Sequence, residues 1–415
     1  MIWPSLLALS SLSLIHAAER DVSCDSDKVA TTWFAGWHAN DGFNVSDVPW
    51  SKYTEVTFAF AETTPDVNTL SFNTSGIDSS GVLAQLVATA HENDVDAKVS
   101  IGGWTGSLYW SDNVGSSENR TAWVKTLTGL VSKYDLDGLD FDWEYPGKQG
   151  IGCNALNTND TANFLEFLKE LREDPIGANL TLSAAASIAP FTGSDGTALT
   201  DVSEFAEYLD YVAIMNYDIW GSWSATVGPN APLDDSCAIA ANQAGSAVSA
   251  VTKWTEAGFP SDQLLLGVAA YGHSFSVPQA GAFANSSDVL ALYASFDSSE
   301  HPAGDAWDDA AGFDVCGAAT TAGGVIDFWG LVAQGYLTEN GDAADGVPYV
   351  FDNCSQTPFI YNTTTQVMIS YDNAESFAAK GQFITDMGLA GFAMWEAGGD
   401  YNSILLDAIR EKVFA

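Results

Sequence analysis

The chain has 415 residues, 54 of them acidic and 14 basic, for a formal charge of −40. Such a balance repels phosphate, which argues against nucleic acid or an anionic membrane as partner and favours neutral or cationic ones. The five cysteines, Cys24, Cys153, Cys237, Cys316 and Cys354, are too far apart for C-x-x-C metal or redox sites. They fit one or two disulfides in an oxidising compartment with one cysteine left over, and Cys316 with Cys354, both in the late part of the chain, is the bridge expected.

The chain opens with MIWPSLLALSSLSLIHAAERD, an apolar run ending in the small residues Ala17 and Ala18. It reads as a secretory signal peptide over residues 1–18. No later run is long and apolar enough to cross a bilayer. Acceptors of the form N-x-S/T stand at Asn44, Asn73, Asn119, Asn159, Asn179, Asn285, Asn353 and Asn362. The expectation is a secreted, extracellular glycoprotein.

Strand-like apolar runs then recur with helical stretches between them. In order they are TTWFAGWH (31–38), EVTFAFAE (55–62), DAKVSIGGW (96–104), LDGLDFDWE (136–144), LTLSAAAS (180–187), LDYVAIMNYD (209–218), LLLGVAAYG (264–272) and GLAGFAMWE (388–396). Eight strands alternating with helices predict a closed parallel (β/α)8 TIM barrel, whose chemistry belongs at the C-terminal ends of the strands. The gap between the last two runs far exceeds one loop and one helix. An α+β insertion subdomain is therefore expected over 276–361, leaving 19–275 and 362–415 to the barrel. Within and after it, GGVIDFWGLVAQG reads as helix, TPFIYNTTTQVMISYD as a hairpin and DNAESFAAKGQFITDM as the returning barrel helix.

The fourth run carries the chemistry. Leu139, Phe141 and Trp143 alternate with Asp140, Asp142 and Glu144, so one strand face is built from carboxylates about 6–7 Å apart and the other from large apolar groups. Three acids in register are costly to bury ionised, so some should hold protons. A site for a divalent metal is disfavoured, because the EF-hand spacing is absent and the histidines, His16, His38, His91, His273 and His301, form no ligand pair. No G-x-S-x-G serine elbow occurs either. Glycoside chemistry fits, with Glu144 nearest the mouth as proton donor and Asp142 its partner.

The run Asp137, Asp140, Asp142, Glu144 in DGLDFDWE resembles the D-x-x-D-x-D-x-E signature of family 18 glycoside hydrolases, the chitinases. SIGGW (100–104), MNYD (215–218) and MWE (394–396) resemble further family motifs, each at the end of an expected strand. The resemblance spans nearly the whole mature chain and implies a substrate-assisted, retaining cleavage of chitin or N-acetylglucosamine oligomers by a monomer without metal or cofactor. It implies Glu144 as acid and then base, Asp142 as holder of the substrate's acetamide N–H, Asp140 as sharer of its proton, and Tyr217 as donor to the acetamide oxygen. Trp395 would floor the cleavage site and Trp104 the next sugar, while Met215, Asp218 and Tyr271 line the cavity. Asp137, outside the alternation, is assigned a structural role.

Two positions depart from the pattern: the first strand carries Trp33, counted among the substrate-binding residues, near where many relatives have a Tyr facing the inner aspartate, and His273 stands where many have Arg. Competing readings are an endo-β-N-acetylglucosaminidase acting on N-glycans, disfavoured by the insertion, and a chitin-binding lectin, disfavoured by the presence of Glu144.

Overall fold

The computed structural model describes residues 28–74, 77–284 and 288–415. Cys24, residues 1–18 and Asn285 lie outside them. The barrel strands are β1 (Val29–Ala35), β2 (Glu55–Thr63), β3 (Asp96–Gly102), β4 (Gly138–Asp142), β5 (Thr181–Ala186), β6 (Tyr211–Ile214), β7 (Leu264–Ala269) and, after a long excursion, β13 (Gly391–Trp395). Every neighbour is parallel, and pairing of β1 with both β13 and β2 closes the ring. This is the (β/α)8 barrel read from the sequence. Parallel strands need crossovers, and α1 (Ser80–Glu92), α2 (Ser117–Tyr134), α3 (Asp160–Glu173), α4 (Ala247–Glu256), α5 (Ala374–Asp386) and α6 (Ile404–Val413) pack around the outside. Helix starts are chemically marked: the Ser116 hydroxyl accepts from Asn119 N, and Ser246 and Asn373 each form a capping box.

The acidic strand lies as its alternation predicts. Phe141 packs outward between Phe164, Phe167 and Trp110, and Trp143 stacks on Trp110 at 5.4 Å. Asp140 is level with Ser100 on β3 and Ser183 on β5, facing inward. One layer lower, Lys98 Nζ lies 3.1 Å from Glu55 and donates to Ser183 Oγ and to the Tyr211 hydroxyl, all buried. This charged plug replaces the usual apolar filling of a barrel floor. Asp137 sits at the strand's entry, accepting from Ala97 N at 2.8 Å and contacting His91 at 2.9 Å, which is a structural position.

The excursion between β7 and β13 builds a second sheet. Its strands are β8 (Tyr271–Ser276), β9 (Val325–Asp327), β10 (Tyr349–Asp352), β11 (Thr357–Asn362) and β12 (Val367–Ser370), antiparallel in the order β9-β8-β12-β11-β10. The sheet extends past the expected 276–361 at both ends. The reason is a turn at Ala270, whose N–H donates to Trp395 O while its carbonyl accepts from Phe328 N, so the seventh run leaves the barrel one residue after Ala269. GGVIDFWGLVAQG likewise divides into β9 and a short helix, Phe328–Ala333.

The expected Cys316–Cys354 bridge does not form. Cys153 pairs with Cys316 and Cys237 with Cys354, at Cα separations of 5.7 and 6.0 Å. Each bridge ties the excursion to a loop of the barrel, because disulfides join segments adjacent in space, and nearness along the chain is no guide to that.

Lys380 on α5 and Asp372, just after β12, form a fully buried pair at 2.6 Å. Burial pushes the Lys380 amine down and the Asp372 carboxyl up, each partly offset by its partner. Replacing one partner strands the other. Lys380→Met is expected to cost about 3–5 kcal/mol in urea unfolding, with most of the loss recovered in the Asp372→Leu, Lys380→Met double variant.

Candidate active site

At the mouth, the C-terminal ends of β4, β6 and β13 and the start of β8 bring the polar groups together. Asp140 is the most heavily held. Its Oδ2 accepts from Ser100 Oγ at 2.7 Å and from Trp33 Nε1 at 3.1 Å, and its Oδ1 from Ser183 Oγ at 2.7 Å. Asp142, one layer up, is 4% exposed and its Oδ1 has no hydrogen-bond partner. Burial, then the neighbouring Glu144 and Asp140 charges, push its carboxyl well above the usual range. Glu144 is pushed up to about 7, mainly by burial, with the Tyr145 hydroxyl opposing and Asp218 adding to the shift. The Ser107 hydroxyl fixes the turn here, donating to Asp142 O at 3.0 Å and accepting from Glu144 N at 3.1 Å.

Tyr217, at the end of β6, is half-buried, and burial followed by the charges of Asp142, Asp218 and Glu144 holds its hydroxyl protonated far above neutrality. Asp218 adopts a left-handed backbone (φ 56°) and receives the Tyr271 hydroxyl and His273 Nε2, both at 2.7 Å from Oδ1. His273, where the family pattern leads one to expect Arg, is thus a direct partner of this carboxylate. Trp395 closes the floor: Phe60 stacks on it at 5.7 Å and 17°, with Trp37 at 6.4 Å and Trp33 at 6.1 Å. Met215 is half-buried in the same cluster.

Two of the residues expected to contact sugar differ sharply in exposure. Trp33 is 3% exposed and spends its N–H on Asp140, so it positions the inner acid and offers no sugar platform. Trp104 is 50% exposed on the short turn after β3, its ring open to solvent.

Several residues of the site escape sequence reasoning. Trp223 is 62% exposed with its edge on His273 at 5.3 Å. Trp37, His38 and Trp307 continue the aromatic surface outward from Trp395, His38 and Trp307 touching at 4.1 Å. A lone aromatic in a polar loop carries little signal by itself. Glu396 directly follows Trp395, is buried, accepts from Ala35 N at 3.1 Å, and is raised to about 8 by burial. Among the described residues no cluster of histidine, cysteine and acidic groups is arranged to hold a metal ion.

The structure is thus an eight-stranded parallel barrel with buried carboxylates under an aromatic-lined mouth. Residues 30–400 match the model of the glycosyl hydrolases family 18, and the chain belongs to that family. It is 51% identical over 409 residues, 98% of this chain and 97% of the relative, to a chitinase-like effector of Moniliophthora roreri. It is 28% identical to chitinase A1 of Niallia circulans, covering 75% of this chain and 42% of that one. Its fold superimposes on the crystal structure of a chitinase from Rhizomucor miehei with a TM-score of 0.82 at 32% identity, covering 93% of this chain and all of the other.

The raised carboxyls make stability pH-dependent. Glu396 (about 8), Glu144 (about 7) and Asp400 (about 6) are neutral in the fold but ionise at lower pH when unfolded. Their contribution is full below the unfolded values and is lost as pH rises through the folded ones. Glu396→Gln should match the wild type in thermal melts near pH 4 and exceed it near pH 8. A wild-type melting temperature flat across that range would contradict the assignment.

Proposed function

We propose that the protein hydrolyses β-1,4 bonds between N-acetylglucosamine units of chitin and chito-oligosaccharides, with retention, using Glu144 as general acid and then base. The observation that carries this reading is the contrast within the acidic strand. Asp140 is saturated with donors, whereas Asp142 Oδ1 is buried and unpartnered beside a Glu144 that keeps its proton to about pH 7. A buried acceptor without a donor is costly, and an acetamide N–H from the substrate would supply one.

In the proposed cycle the sugar lies over Trp395, whose apolar face suits a pyranose ring. Glu144 gives its proton to the glycosidic oxygen as the bond to the anomeric carbon breaks. The carbonyl oxygen of the substrate's own acetamide attacks that carbon, giving a cyclic oxazolinium ion. Asp142 accepts the acetamide N–H, and Tyr217 donates to the acetamide oxygen. Glu144, now ionised, takes a proton from the water that opens the ring, which restores the starting state. This route is the exception to the two-carboxylate pattern of glycosidases.

The same reading covers location. Asn44, Asn73, Asn159, Asn179 and Asn353 are exposed, which suits glycosylation of a secreted chain.

The test is mass spectrometry of products after incubating the wild type and Glu144→Gln with a chitin hexamer and, separately, a high-mannose glycopeptide. Short N-acetylglucosamine oligomers released from the hexamer by the wild type alone are expected. The rate should fall as pH rises through about 7, because the donor must be protonated. Glycan release from the glycopeptide alone would instead indicate an endo-β-N-acetylglucosaminidase. Binding of the hexamer with no cleavage would indicate a chitin-binding protein on an enzyme's scaffold.

A further inference from the structure

The hairpin Gly312–Phe313 with Ala319–Thr320 stands out from the excursion and is exposed along nearly its whole length. Its root is firm. Gly323 N donates to Asp309 O, and the Asp308 carboxylate gathers the N–H groups of Gly304, Gly324 and Val325 at 2.8, 3.0 and 3.1 Å. Trp307, beside the root, rests against His38 after β1 and close to Gly398 after β13. At the other end the turn is closed by Asp314 N to Ala318 O and Gly317 N to Asp314 O, and the turn residue Cys316 is bonded to Cys153.

Cys153 belongs to the loop that follows Glu144. That loop is fixed next to the acid and next to the β3 loop bearing Trp104, since Asn154 Nδ2 donates to Glu144 O and Ala155 N to Leu108 O. In the ring order β1-β13-β7-β6-β5-β4-β3-β2, strands β13 and β4 are opposite each other, four steps apart by either route. The hairpin is therefore rooted over one wall of the mouth and bonded to the opposite wall. The run from Asp309 to Cys316 makes this connection between the two sides. Trp395 ends β13 and Glu144 follows β4, so both ends of this crossing stand over groups of the proposed site.

We propose that this hairpin is a covalently locked roof, which turns the substrate cleft into a passage that an unbranched N-acetylglucosamine chain enters by threading an end. A cleft open along its top takes a chain from the side at any point. A closed strap admits only what can slide beneath it, which excludes chains blocked at both ends and glycans branched near the scissile bond. The exposed Phe313 (79%) and Val315 (52%) give the strap apolar surface of the kind that lies against sugar rings. Cys153 and Cys316 are then specificity-determining residues. The inference rests on the proposed chitin reading and names its substrate as single, free-ended chains.

The test uses the full chain as wild type, Cys153→Ser, Cys316→Ser, and a variant in which residues 311–321 are replaced by a short Gly-Ser turn. The last removes the strap without leaving a free thiol. Each is assayed on a free-ended chitin hexamer and on a long chito-oligosaccharide carrying a bulky protein at each end. The wild type should cleave the first and spare the second, while the variants cleave both. Retained cleavage of the hexamer shows that a variant is folded. Cleavage of the doubly blocked chain by the wild type, or continued sparing of it by every variant active on the hexamer, would overturn the roof. If the wild type cleaves neither, the chitinase reading fails on its own terms. The roof is then judged by Trp fluorescence titration with the doubly blocked chain, expected to bind the loop-shortened variant and not the wild type; equal binding to both would overturn it.

Discussion

Three carboxyl side chains, Asp140, Asp142 and Glu144, leave the same face of one strand into the interior of a barrel, where like charges cannot all be ionised without great cost. The architecture answers that constraint layer by layer. Deepest lies Lys98 with Glu55 and Tyr211, a compensated group that closes the floor. Above it Asp140 receives donors from three different strands. Asp142 and Glu144 receive less, and burial moves both toward the protonated state. The gradient from full to incomplete satisfaction points outward, so the unmet hydrogen-bonding capacity faces the place where a ligand arrives.

The same logic explains how a chain with so few basic residues uses them. Lys98 and Lys380 are both buried and both paired with carboxylates inside the fold. Much of the acidic excess therefore stays at the surface, where solvent screens it and where it disfavours anionic partners. An uncharged, hydroxyl-rich polysaccharide is indifferent to that field. In the proposed reading its recognition would fall instead to aromatic faces, which the mouth supplies from Trp395 through Trp37 and Trp307 on one side and as the exposed Trp104 and Trp223 elsewhere.

The antiparallel excursion adds what the barrel lacks. Tyr271 and His273 come from its first strand and hold Asp218 in an orientation that the loop alone would not impose. Its two disulfides both run outward to barrel loops, so it is tied to the mouth at two separate places. A subdomain attached in this way moves with the barrel and keeps its wall of the cleft in register with the acids.

By itself the sequence determined the period-two acidic strand, the eight apolar runs and their order, and hence the barrel, because strand alternation and the handedness of crossovers are local rules that short segments obey. It also marked Glu144, Asp142, Asp140 and Tyr217 as neighbours at one mouth, since each ends or nearly ends a strand. Only the tertiary structure decided which cysteines meet, that Trp33 serves Asp140 rather than a sugar, that Tyr271 and His273 belong to a second sheet, and that Trp307 comes to lie against His38. Those outcomes depend on distances between segments far apart in the chain. No local period or propensity encodes such distances; they are set when the whole barrel closes and the excursion packs back over it.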